Sequence, residues 1–535
     1  MKADLYVVFM CLFVGLFAFS CSSGGGGDDD DDDAADDDAA DDDTADDDAA
    51  DDDTADNDDD DAAPTVVSIN PDDGETEVPL ATAIVVTFSE PMDAATVEQN
   101  FNLGSLSGAF DWNADESELT FTPADLLTEG ETFTVFIGSG AADRNGVPMA
   151  TSFSSSFQAV DLWTMTFNSA NNEADSGNDI ALDGDGNIYL TGSFSVAGQE
   201  ENIWVHAMDP SGTELWTRSV NGPASDTDNG NGIFVDATDN VYVVGDIGQS
   251  VGEFDVWVRK YDAFTTEQWT QTYGDISLGF DYGNGVSVDA DGNVIVCGRT
   301  GVGAADWDIL IRKYGPTGVI QWMRAYDGGL NEFDGCNDVA TDAAGNIFVV
   351  GVTGDVNGQG SNVWVRKLDG DGTPQWTKTH NGAANMADVG FGIAVDADGY
   401  VYVAGSEWID GQYANIWVRK YDANGNVEWT VTKDGDDHQS DQANDVAVDT
   451  LGNVYVTGKI ETLDEFAGIW VAKYDSEGNE LWTDLYQAPD QGADVGNGLA
   501  LDIDANVYVI GTIYTDAGNR NIWLRKYDTN GNWAD

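Results

Sequence analysis

From residue 161 onward the chain alternates short apolar runs with polar turns, and the alternation itself repeats. In "GNGIFVDATDNVYVVGD", followed by "VWVRKYDAFTTEQWTQTY", a small-residue run at Gly232 to Asp236 gives way to a β-branched and aromatic run at Val241 to Val244. A third run at Val256 to Tyr261 and a fourth around Trp269 complete the unit. Runs this short, bounded by Gly, Asn and Asp, predict four strands and no helix. Trp163, Trp216, Trp269, Trp322, Trp376, Trp429 and Trp482 recur 53 or 54 residues apart, and Asp183, Asp236, Asp289, Asp342, Asp396, Asp449 and Asp502 keep the same spacing. Seven such units predict a seven-bladed β-propeller. Small residues suit a crowded axis, so the first strand of each unit is expected innermost and the Trp strand outermost.

The ends of the repeat predict how the ring closes. The last unit breaks off at Asn532-Trp533 without an outer strand, whereas "DLWTMTF" at 161–167 is an outer strand without a unit. The N-terminal strand is therefore expected to complete the last blade, leaving no exposed edge to invite aggregation. Upstream, "PTVVSINPDDGETEVPLATAIVVTFSEPMD" and runs at Leu119 to Thr122, Thr132 to Ile137 and Ser152 to Gln158 predict about seven strands within residues 64–160, a β-sandwich.

Pro71, Gly74, Val78-Pro79, Phe88-Ser89-Glu90-Pro91-Met92, Phe121-Thr122-Pro123, Asp143 and Gly146 resemble the bacterial SbsA-type Ig-like domain. That resemblance implies an extracellular spacer or adhesive module without catalysis. The repeat, with its Gly-Asn-Val-Tyr-Val-x-Gly and Trp-Val-x-Lys-Tyr-Asp strings, resembles the bacterial SBBP-type propeller repeat. The fold class is all-β: an Ig-like sandwich over 64–160, then a seven-bladed propeller over 161–535 closed by the strand at 161–167.

The N-terminus predicts an address. Leu5 to Phe17 is apolar, follows Lys2 and is too short to span a bilayer, so residues 1–20 read as an export signal. Cys21 after Ala18-Phe19-Ser20 resembles the lipobox of bacterial lipoproteins, which implies lipidation of Cys21 and attachment to a membrane; ordinary secretion is the alternative. Residues 28–61 hold 23 Asp and no basic residue, and like charges repel, so residues 21–63 read as an extended, disordered stalk. The expected localisation is the bacterial cell envelope, lipid-anchored at the outer membrane or cell surface.

Charge then removes one class of partner. Outside the poly-Asp tract 76 acidic residues face 20 basic ones, and eleven of those twenty recur in one strand column: Arg259-Lys260, Arg312-Lys313, Arg366-Lys367, Arg419-Lys420, Lys473 and Arg525-Lys526. None remain to cluster against phosphates, so nucleic acid is excluded. The column itself reads as ion pairs or stem packing between blades.

Candidate chemistry is sparse. "DGDGN" at Asp183 to Asn187, with relatives at Asp289 and Asp396, begins like a calcium loop but lacks the later Glu, and reads as a tight turn. Asp175, Asp228, Asp281, Asp334, Asp388, Asp441 and Asp494 stand at one place in all seven units. They either gather at one mouth of the channel and bind a cation, calcium first of all, or each holds its own loop by accepting N–H groups. Phe280, Tyr282, Trp408 and Tyr413 are irregular loop aromatics suited to stacking on sugars. His206, His380 and His438 lack metal-ligand spacing. "GQSVG" at 248–252 lies between strands, where a nucleophile elbow needs a strand-to-helix turn. Cys297 and Cys336 lie in neighbouring units and form either a disulfide or two free thiols. The expected function is a monomeric, non-enzymatic surface lipoprotein whose head binds a glycan, protein or surface polymer. An enzyme on extracellular polysaccharide and a structural envelope protein are the alternatives.

Overall fold

The structure, a computed structural model, describes residues 62–535 apart from short stretches at 76–77, 81, 125–126, 129–130, 161–162, 171–172, 225, 251–252, 275–279, 304–305, 329–332, 355–359, 436–437, 463–465, 490–491, 516–518 and 534–535. The export signal, Cys21 and the acidic stalk lie outside the described residues.

Residues 66–160 form two four-stranded sheets. One is built from Val66–Asn70, Ile84–Phe88, Glu118–Pro123 and Gly108–Trp112, the other from Val78–Pro79, Phe153–Val160, Thr132–Ile137 and Phe101–Asn102. Alternation puts Ile84, Val86 and Phe88 on one buried face, where they meet Leu119, Phe121, Val135 and Phe157. The all-strand expectation misses one helix, Ala94–Asn100, started by Asp93, whose side chain accepts the Ala95 N–H.

The remaining strands form seven four-stranded antiparallel sheets, the blades of a propeller. Their inner strands are Ser176–Leu182, Asn229–Val235, Asp281–Val288, Gly335–Thr341, Val389–Val395, Gln442–Val448 and Val495–Leu501, and blades are numbered below in that order. In the seventh, Arg520–Tyr527 pairs with Thr164–Phe167, so the outer strand comes from the segment that precedes the first blade.

Every inner strand carries a bulge at one position, between Gly177 and Asp179 in the first blade and at the matching place in the other six. A bulge adds one residue and turns its side chain out of the ladder. In six blades that residue is Asn, and its amide reaches the neighbouring blade. Asn178 donates to Gly230 O, Asn231 to Gly283 O, Asn284 to Cys336 O, Asn337 to Gly390 O, Asn444 to Gly496 O and Asn497 to Gly177 O, at 2.7–2.9 Å. The last of these joins the seventh blade to the first. Blade 5 carries Phe391 at its bulge instead.

The accepting column is small because the seam is tight. A methyl group on Gly177 would stand 2.6 Å from Ile510, one on Gly283 2.7 Å from Val244, and Gly230, Gly390 and Gly496 face Thr191, Val350 and Thr457 in the same way. In the fifth seam the pair is Ala404 and Ala443. In the third it is Cys297 and Cys336, joined as a disulfide with Cα atoms 5.6 Å apart.

Two residues further along lies a ring of Asp179, Gly232, Gly285, Asp338, Gly392, Asp445 and Gly498. Each Asp bridges forward: Asp179 accepts the Ile233 N–H at 2.7 Å, Asp338 that of Ile393 at 2.9 Å and Asp445 that of Leu499 at 2.8 Å. A Cβ on Gly285 would lie 2.9 Å from Asp338 Cα, and one on Gly392 2.7 Å from Asp445 Cα. A side chain at the position before an Asp is therefore crowded by it. On this ring of seven the three Asp stand apart, none beside another. Asp179 and Asp338 line an axial cavity of about 510 Å³, together with Val286, Val339, Ile393 and Leu499. Burial, and then the Asp445 charge, push Asp338 up to about 7, and burial pushes Asp445 up to about 6. Asp179 is raised for the same reasons.

The outer rim repeats the logic with other groups. Trp269, Trp322, Trp376, Trp429 and Trp482 donate their indole N–H to Pro316, Gly370, Ala423, Ser476 and Thr529 carbonyls of the next blade at 3.0–3.2 Å. The basic column meets the preceding blade by its charged heads: the guanidinium groups of Arg312, Arg366 and Arg525 lie over Tyr273, Tyr326 and Tyr486 at 4.0–4.4 Å.

Two outcomes follow. Gly285→Asp places two Asp side by side and is expected to lower unfolding stability by roughly 1–3 kcal/mol, whereas Asp338→Gly, which copies Gly232 and Gly392, keeps the ring; urea unfolding of both decides it. A carboxyl with a raised folded pKa binds more protons folded than unfolded, so its contribution is full below the unfolded value of 3.8 and is lost as pH rises toward 7. Thermal stability should fall from pH 4 to pH 7, and Asp338→Gly should flatten that slope.

Candidate functional site

The seven-Asp column is not gathered around a mouth. Its members are buried, one on each blade. In six of them the two carboxylate oxygens accept two backbone N–H groups, one six residues upstream and one twenty downstream. Asp228 takes Gly222 at 2.6 Å and Gly248 at 2.7 Å; Asp175 takes Ser169 and Ser195, Asp334 Gly328 and Gly354, Asp388 Gly382 and Trp408, Asp441 Gly435 and Glu461, Asp494 Ala488 and Tyr514. Each ties the loop entering its blade to the end of the second strand. Burial outweighs these bonds and pushes Asp228 and Asp441 up to about 6. The bonds of these six match loop holding, the second of the two readings of the column; among the described residues no three of Asp175, Asp228, Asp281, Asp334, Asp388, Asp441 and Asp494 bring oxygens within 4.8 Å of one another. Asp334 instead groups with Asp308 and Asp327, beside the aromatic cluster described below.

The "DGDGN" segments are turns. Asp183 Oδ1 accepts the N–H groups of Asp185 and Asn187, and Gly186 takes a φ of +82° that suits glycine. Of "GQSVG", Gly248 to Ser250 end the strand Val241–Ser250, and Val251 and Gly252 lie outside the described residues. The histidines are separate: His206 stacks on Trp204, His380 on Trp417, and His438 meets Asp434.

Four aromatic rings stand together on blades 2 to 4, at the end where inner strands begin. Phe254 and Phe280 have centroids 6.2 Å apart, Phe280 and Trp307 6.2 Å, Trp307 and Phe333 6.3 Å. Backbone bridges Phe254↔Phe280 and Trp307↔Phe333 fix the first and last steps. The result is a ribbon of rings across two seams, with Phe280 38% exposed and the others half-buried. Beneath it lies Arg299, 8% exposed, with its guanidinium 4.3 Å from Tyr282, 5.0 Å from Trp307 and 5.1 Å from Phe333. Burial lowers its pKa, and its Nε has no hydrogen-bond partner. Asp246 on blade 2 is held by Asn229 and Asn231 amides and pushed up to about 6 by burial.

The ribbon is a departure from the repeat. At the position of Phe254 and Trp307 the other blades carry Glu201, Ser361, Ala414, Ala467 and Arg520. At that of Phe280 and Phe333 they carry Ala174, Thr227, Ala387, Ser440 and Ala493. Arg299 stands where Ser193, Asp246, Val352, Ser406, Lys459 and Thr512 stand. Of the four loop aromatics singled out in the sequence, Phe280 and Tyr282 belong to this cluster. Trp408 and Tyr413 form a separate pair 5.4 Å apart on blade 5. Phe254, Arg299, Trp307 and Phe333 were not singled out; their signal is present as residues that break their own column.

No curated protein matches the chain. Among solved structures, one described as a gluconolactonase aligns at 15% identity over 55% of this chain and 88% of that one, with a TM-score of 0.30. A eukaryotic initiation factor aligns at 12% over 77% and 86% with a TM-score of 0.29, and L,D-transpeptidase 3 from Mycobacterium tuberculosis at 17% over 30% and 47% with 0.15. At these scores none bears on function. Residues 60–159 match the bacterial Ig-like domain family, and residues 170–193 and 435–460 match the beta-propeller repeat family, so the chain carries one domain of the first kind followed by repeats of the second.

Proposed function

We propose that the propeller is a non-enzymatic binding head for a neutral glycan, displayed at the bacterial surface by a lipid on Cys21, the poly-Asp stalk and the Ig-like domain as a spacer. The two domain types point to an extracellular or surface protein, which supports that setting. The observation that carries the reading is the aromatic ribbon. Its near-regular spacing of about 6 Å offers successive apolar faces to successive sugar rings, whose C–H faces stack on aromatic groups. Charge selects among polymers: a protein of formal charge −79 repels polyanions, and uncharged chains approach without that barrier.

The test is titration of the purified full chain with neutral oligosaccharides of increasing length. Affinity should rise with length up to about four rings and change little with salt. Trp307→Ala and Phe280→Ala should each weaken binding about tenfold or more, near 1.4 kcal/mol, while Trp408→Ala on blade 5 leaves it unchanged. Absence of binding by the folded protein would overturn the reading and leave a structural envelope role.

A further inference from the structure

We infer that the Cys297–Cys336 disulfide is the positioning element of the aromatic ribbon, locking the seam between blades 3 and 4 around Arg299 so that the rings are held in register. As a role in ligand binding this rests on the glycan-binding reading; as a constraint on the seam it stands by itself.

Six other seams show that the bond is not needed to pack blades. The same two positions are filled by Thr191 with Gly230, Val244 with Gly283, Val350 with Gly390, Ala404 with Ala443, Thr457 with Gly496 and Ile510 with Gly177. Each is a non-covalent fit. What sets the third seam apart is its contents. Arg299 lies two residues beyond Cys297 on the strand Val294–Gly303. Its Cβ and Cδ are the atoms that a side chain on Gly335, the residue before Cys336, would meet at 3.9 Å. A guanidinium shut away from water with an unpaired Nε favours an open seam that would hydrate it.

The ribbon depends on the same seam staying closed. Trp307 belongs to blade 3 and Phe333 leads into blade 4, and their contact includes the Asp334 N–H donated to Trp307 O at 3.0 Å. Within blade 3, Gly301 on the Arg299 strand donates to Phe280 O at 3.1 Å, which ties Phe280 to the strand that carries Cys297. Cys297 and Cys336 are both fully buried directly below these contacts, in one cluster with Ile309, Ile311 and Val339. A covalent link there removes the opening motion from the ensemble rather than adding a contact to the ligand.

Two variants of the full chain test it: Cys297→Val with Cys336→Gly, which copies Val244 with Gly283, and Cys297→Ala with Cys336→Ala, which copies Ala404 with Ala443. Hydrogen exchange and neutral-oligosaccharide titration are read on both. The expected result is that both fold, that the Asp334 amide exchanges about tenfold faster while the matching Asp388 and Asp441 amides of blades 5 and 6 are unchanged, and that affinity falls about fivefold or more. Unchanged exchange at Asp334 in the variant that folds overturns the lock, whatever binding does. Faster exchange with unchanged affinity overturns its role in binding. Faster exchange in a protein whose native form binds no neutral glycan overturns the glycan reading and keeps the lock.

Discussion

The space at the propeller axis is the constraint on which the rest of the molecule depends. Seven inner strands converge there, and at most of the seams a side chain on the accepting residue would clash with the blade before it. The chain answers with one bulge per strand, which swings an Asn sideways into the neighbouring blade. Each such bond contributes only about 1 kcal/mol, but the acceptor is the carbonyl of a residue that must be small. Position and size are therefore set together. The Asp and Gly ring below follows from the same crowding, because a Cβ on Gly285, Gly392 or Gly498 would press on the Asp of the blade that follows.

Much of the scaffold is legible in the sequence, for a physical reason. Repetition turns each structural requirement into a column, so the Trp comb, the turn Asp comb and the missing outer strand of the last unit all announce themselves. The bulge is less visible. "GNG" at Gly230 to Gly232 reads as a run of small residues suited to an axis, yet nothing in a strand pattern says that the middle residue is extra and points sideways. Asp179, Asp338 and Asp445 are hidden for a related reason, since only the closed ring shows that each reaches forward to the backbone of the next blade.

The candidate site is hidden differently. Recurrence draws attention to Asp175 and its six equivalents, whose carboxylates are taken up by their own loops. The ribbon is written in residues that do not recur: Phe254, Phe280, Trp307 and Phe333, with Arg299 beneath. In a repeat protein, columns describe what every blade must do to pack, and breaks in a column describe what one face of the ring does alone. The helix at Ala94–Asn100 in the Ig-like domain escapes notice because seven residues hold under two helical turns, too few for a period to show.

The borrowed strand of the seventh blade has a mechanical side. Any pull on the N-terminal domain enters the ring at Thr164–Phe167, whose pairing with Ile522 to Arg525 begins at Thr164↔Arg525. Tension would reach that end first, where Arg525 Nε holds Thr164 Oγ1 at 2.8 Å and the Lys526 N–H holds Trp163 O at 3.0 Å. The strand that completes the wheel is thus also the one that bears its load. Under a sustained tug it would be the first to part, while the other six blades, each built from consecutive chain, stay whole.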